Sequence, residues 1–132
     1  MPSVLVIDDE PDVRDSIRQV LNRVGFEVMT AENGEAGMQA FYDQPPDVVI
    51  VDIIMPRKNG IEVIRKIRET YPGARIVAIT GGGNFGPFGY TPGTLVTEAY
   101  LASATESGAD AVMMKPFHRT DLIALVRSLV KN

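Results

Sequence analysis

The sequence predicts a three-layer, doubly wound α/β domain: a five-stranded parallel sheet with five helices on its two faces. Three observations predict it. Short runs of consecutive aliphatic residues recur along the chain, and continuous rather than alternating apolarity marks strands buried on both faces. Helical periodicities fill the gaps between those runs. The length, 132 residues, is that of one domain with its own core.

Val4-Leu5-Val6-Ile7 reads as the first buried strand. Val13, Ile17, Leu21 and Val24 then repeat at helical spacing and give one apolar face, with Gly25 as the stop. Phe26-Glu27-Val28-Met29-Thr30 alternates more and is expected nearer a sheet edge. Asn33 is the expected cap of a helix running to Tyr42 and closed by Gln44-Pro45-Pro46. Val48-Val49-Ile50-Val51 is the third strand. Ile61, Ile64, Ile67 and Tyr71 form the stripe of a third helix that ends at Pro72-Gly73. Ile76-Val77-Ala78-Ile79 is the fourth strand; Leu95, Ala99 and Ala102 suggest a fourth helix stopping near Gly108. Ala111-Val112-Met113-Met114 and a helix carrying Leu122, Leu125, Val126 and Leu129 complete the series. Right-handed crossovers are expected. One domain is expected over 1–132, with an extended loop at about 81–93 that holds six glycines, two prolines, Phe85, Phe88 and Tyr90.

Composition removes several function classes. There is no Cys and only one His, His118. Thiolate metal sites, disulfides and a two-histidine dyad are thereby excluded. Seventeen acidic residues against 13 basic ones give a net charge of −4, which argues against nucleic-acid binding by this domain. No apolar run approaches the roughly 20 residues of a membrane span. The N-terminus meets Asp8 too early for a secretory signal, so a cytoplasmic location is the expectation.

Sites in such sheets form at the carboxyl ends of the strands. Asp8-Asp9-Glu10 follow the first strand, Asp52 the third, Thr80-Gly81 the fourth and Lys115-Pro116 the fifth. Singly, each reads as a helix cap, a turn residue or a solvated charge. Together they pose an electrostatic problem. Two carboxylates 4 Å apart repel by about 4 kcal/mol at an effective dielectric near 20. A hard cation among them relieves it, and an all-oxygen ligand set points to Mg²⁺. Mg²⁺, a carboxylate nucleophile, a hydroxyl and an ammonium are the parts of a phosphoryl-transfer site.

Asp8-Asp9, Asp52 with Met55-Pro56 and Gly60, Thr80, and Lys115-Pro116-Phe117 resemble the receiver domain of bacterial two-component response regulators, the CheY-like family. The resemblance covers essentially the whole chain. It implies the flavodoxin-like strand order 2-1-3-4-5 and a phosphoacceptor role for Asp52. It implies Mg²⁺ ligation by Asp9, Asp52 and the backbone carbonyl of Ile54, with Asp8 acting mostly through a coordinated water. Lys115 would pair with the phosphoryl group, Thr80 would move to hydrogen-bond it, and Gly81 would leave room beside it. Pro116 would be a cis-proline that aims Lys115. The phosphoryl donor would be a sensor histidine kinase or a phosphotransfer protein. The state would be relayed to a downstream protein, with no nucleic-acid or membrane partner for this domain. Ile54 occupies a position that tunes phosphoryl lifetime in the family.

Two departures stand out. Val112 lies where receivers often carry an aromatic switch residue, so a coupled hydroxyl–aromatic movement is not expected. The connection from Thr80 to Lys115 is longer than the family implies. Its aromatics Phe85, Phe88 and Tyr90 must pack either on the domain or on a partner, and the loop is expected to replace the missing aromatic as the responsive element. Of Met113 and Met114, at least one is expected in the core, and His118 is expected to flank the last helix. If the chain is complete with its fifth helix, a stand-alone regulator without an effector domain is the expectation; if it is part of a longer protein, the remainder is open. The leading function is a signalling module that catalyses only its own phosphorylation and dephosphorylation. The alternatives are a degenerate or constitutive receiver used as a binding platform and an aspartate-nucleophile phosphatase. That phosphatase class needs a second Asp where this chain has Ile54.

Overall fold

The computed structural model describes residues 2–55, 59–80 and 102–130. Five strands, β1 (Ser3–Ile7), β2 (Glu27–Ala31), β3 (Val48–Asp52), β4 (Ile76–Thr80) and β5 (Ala111–Met114), form one parallel sheet in the order β2-β1-β3-β4-β5. Between them run α1 (Pro11–Arg23), α2 (Gly34–Asp43) and α3 (Gly60–Thr70). Helical residues 102–107 supply α4 ahead of β5, and α5 (Arg119–Val130) closes the chain. The expected class, strand order and helix number are all found.

The apolar runs are continuous because the sheet has a core on each side. Leu5, Ile7, Val49, Val51, Ile76 and Ala78 face one way, into a cluster with Phe41 of α2, Ile64 and Ile67 of α3 and Ala104 of α4. Their neighbours Val4, Val6, Val48, Ile50, Val77 and Ile79 face the other way, onto Ile17 and Leu21 of α1 and Leu122 and Val126 of α5. Side chains alternate along a strand, so a strand covered on both faces has no polar positions to spare. Each such Val, Leu or Ile contributes about 1.5–3 kcal/mol by leaving water. β2 and β5 are the outer strands, and both show mixed burial.

Local signals set the helix ends. Asn33 caps α2 by accepting from the Ala36 amide at 2.8 Å, as expected. Asn59 does the same for α3, accepting from the Ile61 amide at 2.7 Å. Gly108 ends α4 with φ +124°, a left-handed conformation that glycine adopts without a Cβ penalty. His118 flanks α5 and offers its carbonyl to the Asp121 and Leu122 amides.

Some expectations shift by a position. Phe26 is not in a strand; it precedes β2, buried beneath the end of α1, where its amide donates to the Leu21 carbonyl. Val24 is the cap of α1 rather than its last turn. Tyr71 leaves the stripe of α3: it caps that helix, exposed, and stands edge-on to Phe41 at 5.1 Å. Met113 packs into the core, whereas Val112 and Met114 are exposed on the other face of β5. Gly81, Phe85, Phe88 and Tyr90, with the rest of the 81–93 loop, lie outside the described residues, as do Leu95 and Ala99.

At the amino ends of β4 and β5, Arg68 of α3 ties three segments together. Its Nε and Nη2 donate to the Gly108 carbonyl at 3.1 and 2.7 Å. Nη1 reaches the carbonyls of Pro72 and Ala74 at 2.6 and 2.8 Å. Nη2 also pairs with Asp110 Oδ2 at 2.8 Å, and that oxygen accepts from the Ile76 amide at 2.7 Å. A guanidinium has five N–H donors, and these contacts use them all.

Candidate functional site

Strand register brings the polar strand ends level. Ile7 pairs with Val51, so Asp8 and Asp52 follow side by side. Asp52 pairs with Ile79, and Thr80 with Met114. The Lys115 amide donates to the Thr80 carbonyl at 2.8 Å and adds one more rung beyond β5. Asp8, Asp52 and Thr80 are 0%, 3% and 0% exposed, three polar residues sealed at the sheet's carboxyl edge. The Lys115–Pro116 peptide bond is cis, as the resemblance implies for Pro116.

Each carboxylate is held by its own turn. Asp8 Oδ1 accepts from the Glu10 amide at 2.9 Å, and Asp52 Oδ1 from the Ile54 amide at 3.1 Å. The Asp8 carbonyl accepts from Arg14 Nη1 at 2.8 Å. Gly60, the first residue of α3, lies against the Asp52 backbone: a Cβ there would fall 2.1 Å from the Asp52 carbonyl oxygen. No side chain fits, which gives the glycine of the motif its physical reason.

The Lys115 ammonium is the positive centre. Nζ lies 2.8 Å from Glu10 Oε1, 3.0 Å from Asp8 Oδ2 and 3.5 Å from Asp52 Oδ2. Asp8 Oδ2 meets it as an ion pair without hydrogen-bond geometry. One ammonium cannot neutralise three carboxylates. Burial, then the charge of Asp8, push the Asp52 carboxyl up to about 7, against the pull of Lys115 and the Ile54 amide; Asp9 adds a further upward push. Burial also raises Asp8, although the Glu10 amide and Lys115 oppose it. For Lys115 burial works against the charge, but the Glu10 hydrogen bond and the Asp52 and Asp8 carboxylates outweigh it and hold the ammonium above its ordinary range.

Oxygen atoms of Asp8, Glu10 and Asp52 lie within 4.8 Å of one another, so this acidic pocket could hold a metal ion. The residues fit such an ion. All the donors are oxygens, which suits a hard cation, and the negative charge exceeds what Lys115 supplies. Thr80 Oγ1 is buried at the same edge with no hydrogen-bond partner among the described residues. Such a hydroxyl is costly unless a further group takes it up. A groove of about 220 Å³ lined by Asp12, Val13, Ser16, Ile17, Lys115 and Phe117 opens beside the ammonium.

The expected Asp8, Asp52, Thr80 and Lys115 are thus gathered. Asp9 is half-buried and outside the three-carboxylate group, acting on Asp52 through its charge. Glu10 takes the place beside Lys115, a role that sequence reasoning missed. Its only signal was position, at the end of the Asp8-Asp9-Glu10 run. Ile54 is partly buried against the core. Pro56 and Gly81 fall outside the described residues.

The family model described as the response regulator receiver domain matches residues 4–86. This chain belongs to the response regulator receiver family. The receiver is 31% identical over 129 residues to the response regulator MprA of Mycolicibacterium vanbaalenii, covering 98% of this chain and 50% of MprA. It is 28% identical over 132 residues to the transcriptional regulatory protein CpxR of Klebsiella pneumoniae, covering 100% of this chain and 50% of CpxR. The receiver therefore spans about half the length of these relatives. Among solved structures, the receiver domain of NtrX from Brucella abortus superposes with a TM-score of 0.83 at 28% identity, over 98% of each chain. The match of the family model stops inside the glycine- and aromatic-rich stretch.

Proposed function

We propose that this receiver accepts a phosphoryl group on Asp52 in a Mg²⁺-dependent step and passes the state on by protein contact. The observation that carries the reading is the partly buried Lys115 ammonium, 3.5 Å from Asp52, in a pocket with more carboxylate than one cation can neutralise. The donor is a phosphohistidine on a sensor histidine kinase or a phosphotransfer protein. An Asp52 oxygen attacks phosphorus as the P–N bond breaks, and the leaving imidazole keeps the electron pair. Asp8, Asp9 and Asp52, with the Ile54 carbonyl, are the residues that would hold Mg²⁺, whose charge offsets that of the phosphoryl oxygens. Lys115 and the unpartnered Thr80 hydroxyl supply N–H and O–H donors to those oxygens. Pro116 follows Lys115 in a cis peptide bond and belongs to the same strand end.

The chain's catalysis is limited to its own phosphorylation and dephosphorylation. Its net charge of −4 supports a protein target and no nucleic acid. No helix among the described residues is long and apolar enough to cross a membrane, and the proposed location is cytoplasmic. Transcription is the role named for CpxR; for this chain the proposal is a surface read by a downstream protein. A binding platform without phosphate, or a phosphatase, gains no support from this pocket, since Ile54 stands where the phosphatase acid would be.

Intact mass after incubation with acetyl phosphate tests the reading. One phosphoryl adduct is expected with Mg²⁺, lost in Asp52→Asn and lost with chelator. An unmodified mass in a preparation shown to bind Mg²⁺ would sink it.

A further inference from the structure

Glu10 has a position that the phosphoacceptor reading does not use. It is the N-cap residue of α1, yet its side chain makes no capping bond. The carboxylate is committed to Lys115 instead, at 2.8 Å, the shortest of the three carboxylate contacts to the ammonium. The Glu10 side chain is 59% exposed, whereas those of Asp8 and Asp52 are 0% and 4%. Glu10 reaches in from solvent; the other two form the floor.

An ammonium has three N–H donors and no more. Three carboxylates surround this one, and Glu10 is the one that meets it as a hydrogen bond, so a phosphoryl oxygen arriving at Asp52 has to compete with Glu10. Asp8 is fixed by burial and by the Glu10 amide. Asp52 is the acceptor itself. Glu10 is the partner that can leave, because its carboxylate is already largely hydrated and an exposed ion pair is weak.

We propose that Glu10 is a positioning residue, a latch that holds the Lys115 ammonium in the unphosphorylated state and competes with the phosphoryl group for it. The proposal rests on the phosphoacceptor reading. Phosphorylation at Asp52 then exchanges one anionic partner of Lys115 for another, and Glu10 swings into water. The latch sets how readily the modified state forms. It differs from cation ligation, the other role its oxygen could take, in the sign of its effect.

Two variants separate the roles. Glu10→Gln removes the charge; Glu10→Asp keeps the charge but shortens the arm by a methylene, out of reach of Lys115. Binding of beryllofluoride, a tetrahedral phosphoryl mimic, is measured at saturating Mg²⁺. The latch predicts that both variants bind it about three- to fivefold tighter than the unaltered chain. In the metal-free chain, both should also raise acetic anhydride labelling of the Lys115 amine, read by peptide mass. Weaker mimic binding in both variants would make Glu10 a cation ligand and overturn the latch. A gain in Glu10→Gln alone would reduce it to charge repulsion. Unchanged Lys115 labelling in both would overturn it whatever the mimic does. Should the unaltered chain fail to bind the mimic, the phosphoacceptor reading falls, and the labelling still decides whether Glu10 holds Lys115.

Discussion

At the amino ends of β4 and β5, Arg68 meets five acceptor contacts with five donors, and its one acidic partner, Asp110, is also bonded to the Ile76 amide. At the carboxyl ends, Lys115 meets three carboxylates that it cannot neutralise, and the Thr80 hydroxyl has no partner among the described residues. Both ends place a cation beside acid in a half-dry setting. One is closed and satisfied; the other is left in deficit. The contrast separates bonds that hold the fold from groups left with charge and donors to spare, which the proposed function assigns to a cation and a phosphoryl group. A satisfied network can only lose by substitution, whereas a frustrated one can gain stability while losing function.

The largest effect is expected at the closed end. Arg68→Ala should destabilise by about 4 kcal/mol in urea unfolding, since it strips three carbonyls of their donors and removes the charged partner of Asp110. Phosphorylation of the folded fraction by acetyl phosphate should be unchanged. A loss under about 1 kcal/mol would break the contrast at once. Gly60→Ala comes next, at about 3 kcal/mol, because its Cβ would collide with the Asp52 backbone rather than with a movable side chain. Unlike Arg68→Ala, it should also lower the adduct yield, since the displaced atom belongs to the acceptor strand.

Asp52→Asn should reverse the sign of the stability change. It abolishes the adduct, yet it should stabilise the metal-free chain by about 2 kcal/mol at pH 8. The reason fixes a pH dependence. Asp52 titrates at about 7 in the folded chain against an ordinary 3.8, so the folded state binds this proton more tightly than the unfolded one. Its contribution is greatest at acid pH and declines as the pH rises from about 4 to about 7, then stays flat. Metal-free stability should therefore fall between pH 5 and pH 8, and Asp52→Asn should flatten that slope in parallel urea titrations. An equal slope in both proteins would show that the deficit lies elsewhere. The smallest effect is a control at neither end. Arg18→Ala breaks an exposed pair with Asp15 at 3.0 Å and should change stability by less than about 0.5 kcal/mol.

Much of this was legible beforehand because buried strands write themselves as apolar runs. The first polar residue at each run's end then has one place to be: the sheet's edge. That logic found Asp8, Asp52, Thr80 and Lys115, and Asn33 announced its helix by cap chemistry alone. It could not choose between Asp9 and Glu10. Successive residues in a turn point in different directions, and only the backbone of Glu10, at φ −92° and ψ 116°, decides which carboxylate turns inward. Arg68 was hidden for a different reason. A basic residue near a helix end reads as a solvated face, and its four acceptors come from segments 4 to 42 positions away. Tyr71 misled because it keeps the spacing of its stripe while the helix ends beneath it.

The bond from the Lys115 amide to the Thr80 carbonyl has a consequence for how such a protein can be altered. The two residues are 35 positions apart in sequence, yet they are neighbours on one ladder, and the ladder sets where the ammonium stands. Closing a flexible segment costs only about 0.6 kcal/mol for each doubling of its length. Chain can therefore be spliced in or cut out between these strands at little thermodynamic cost, with acceptor and ammonium kept in alignment. The stretch of sequence between these two residues is thus pinned on both sides by the strand ends that set the pocket, which makes it a natural port for new inputs.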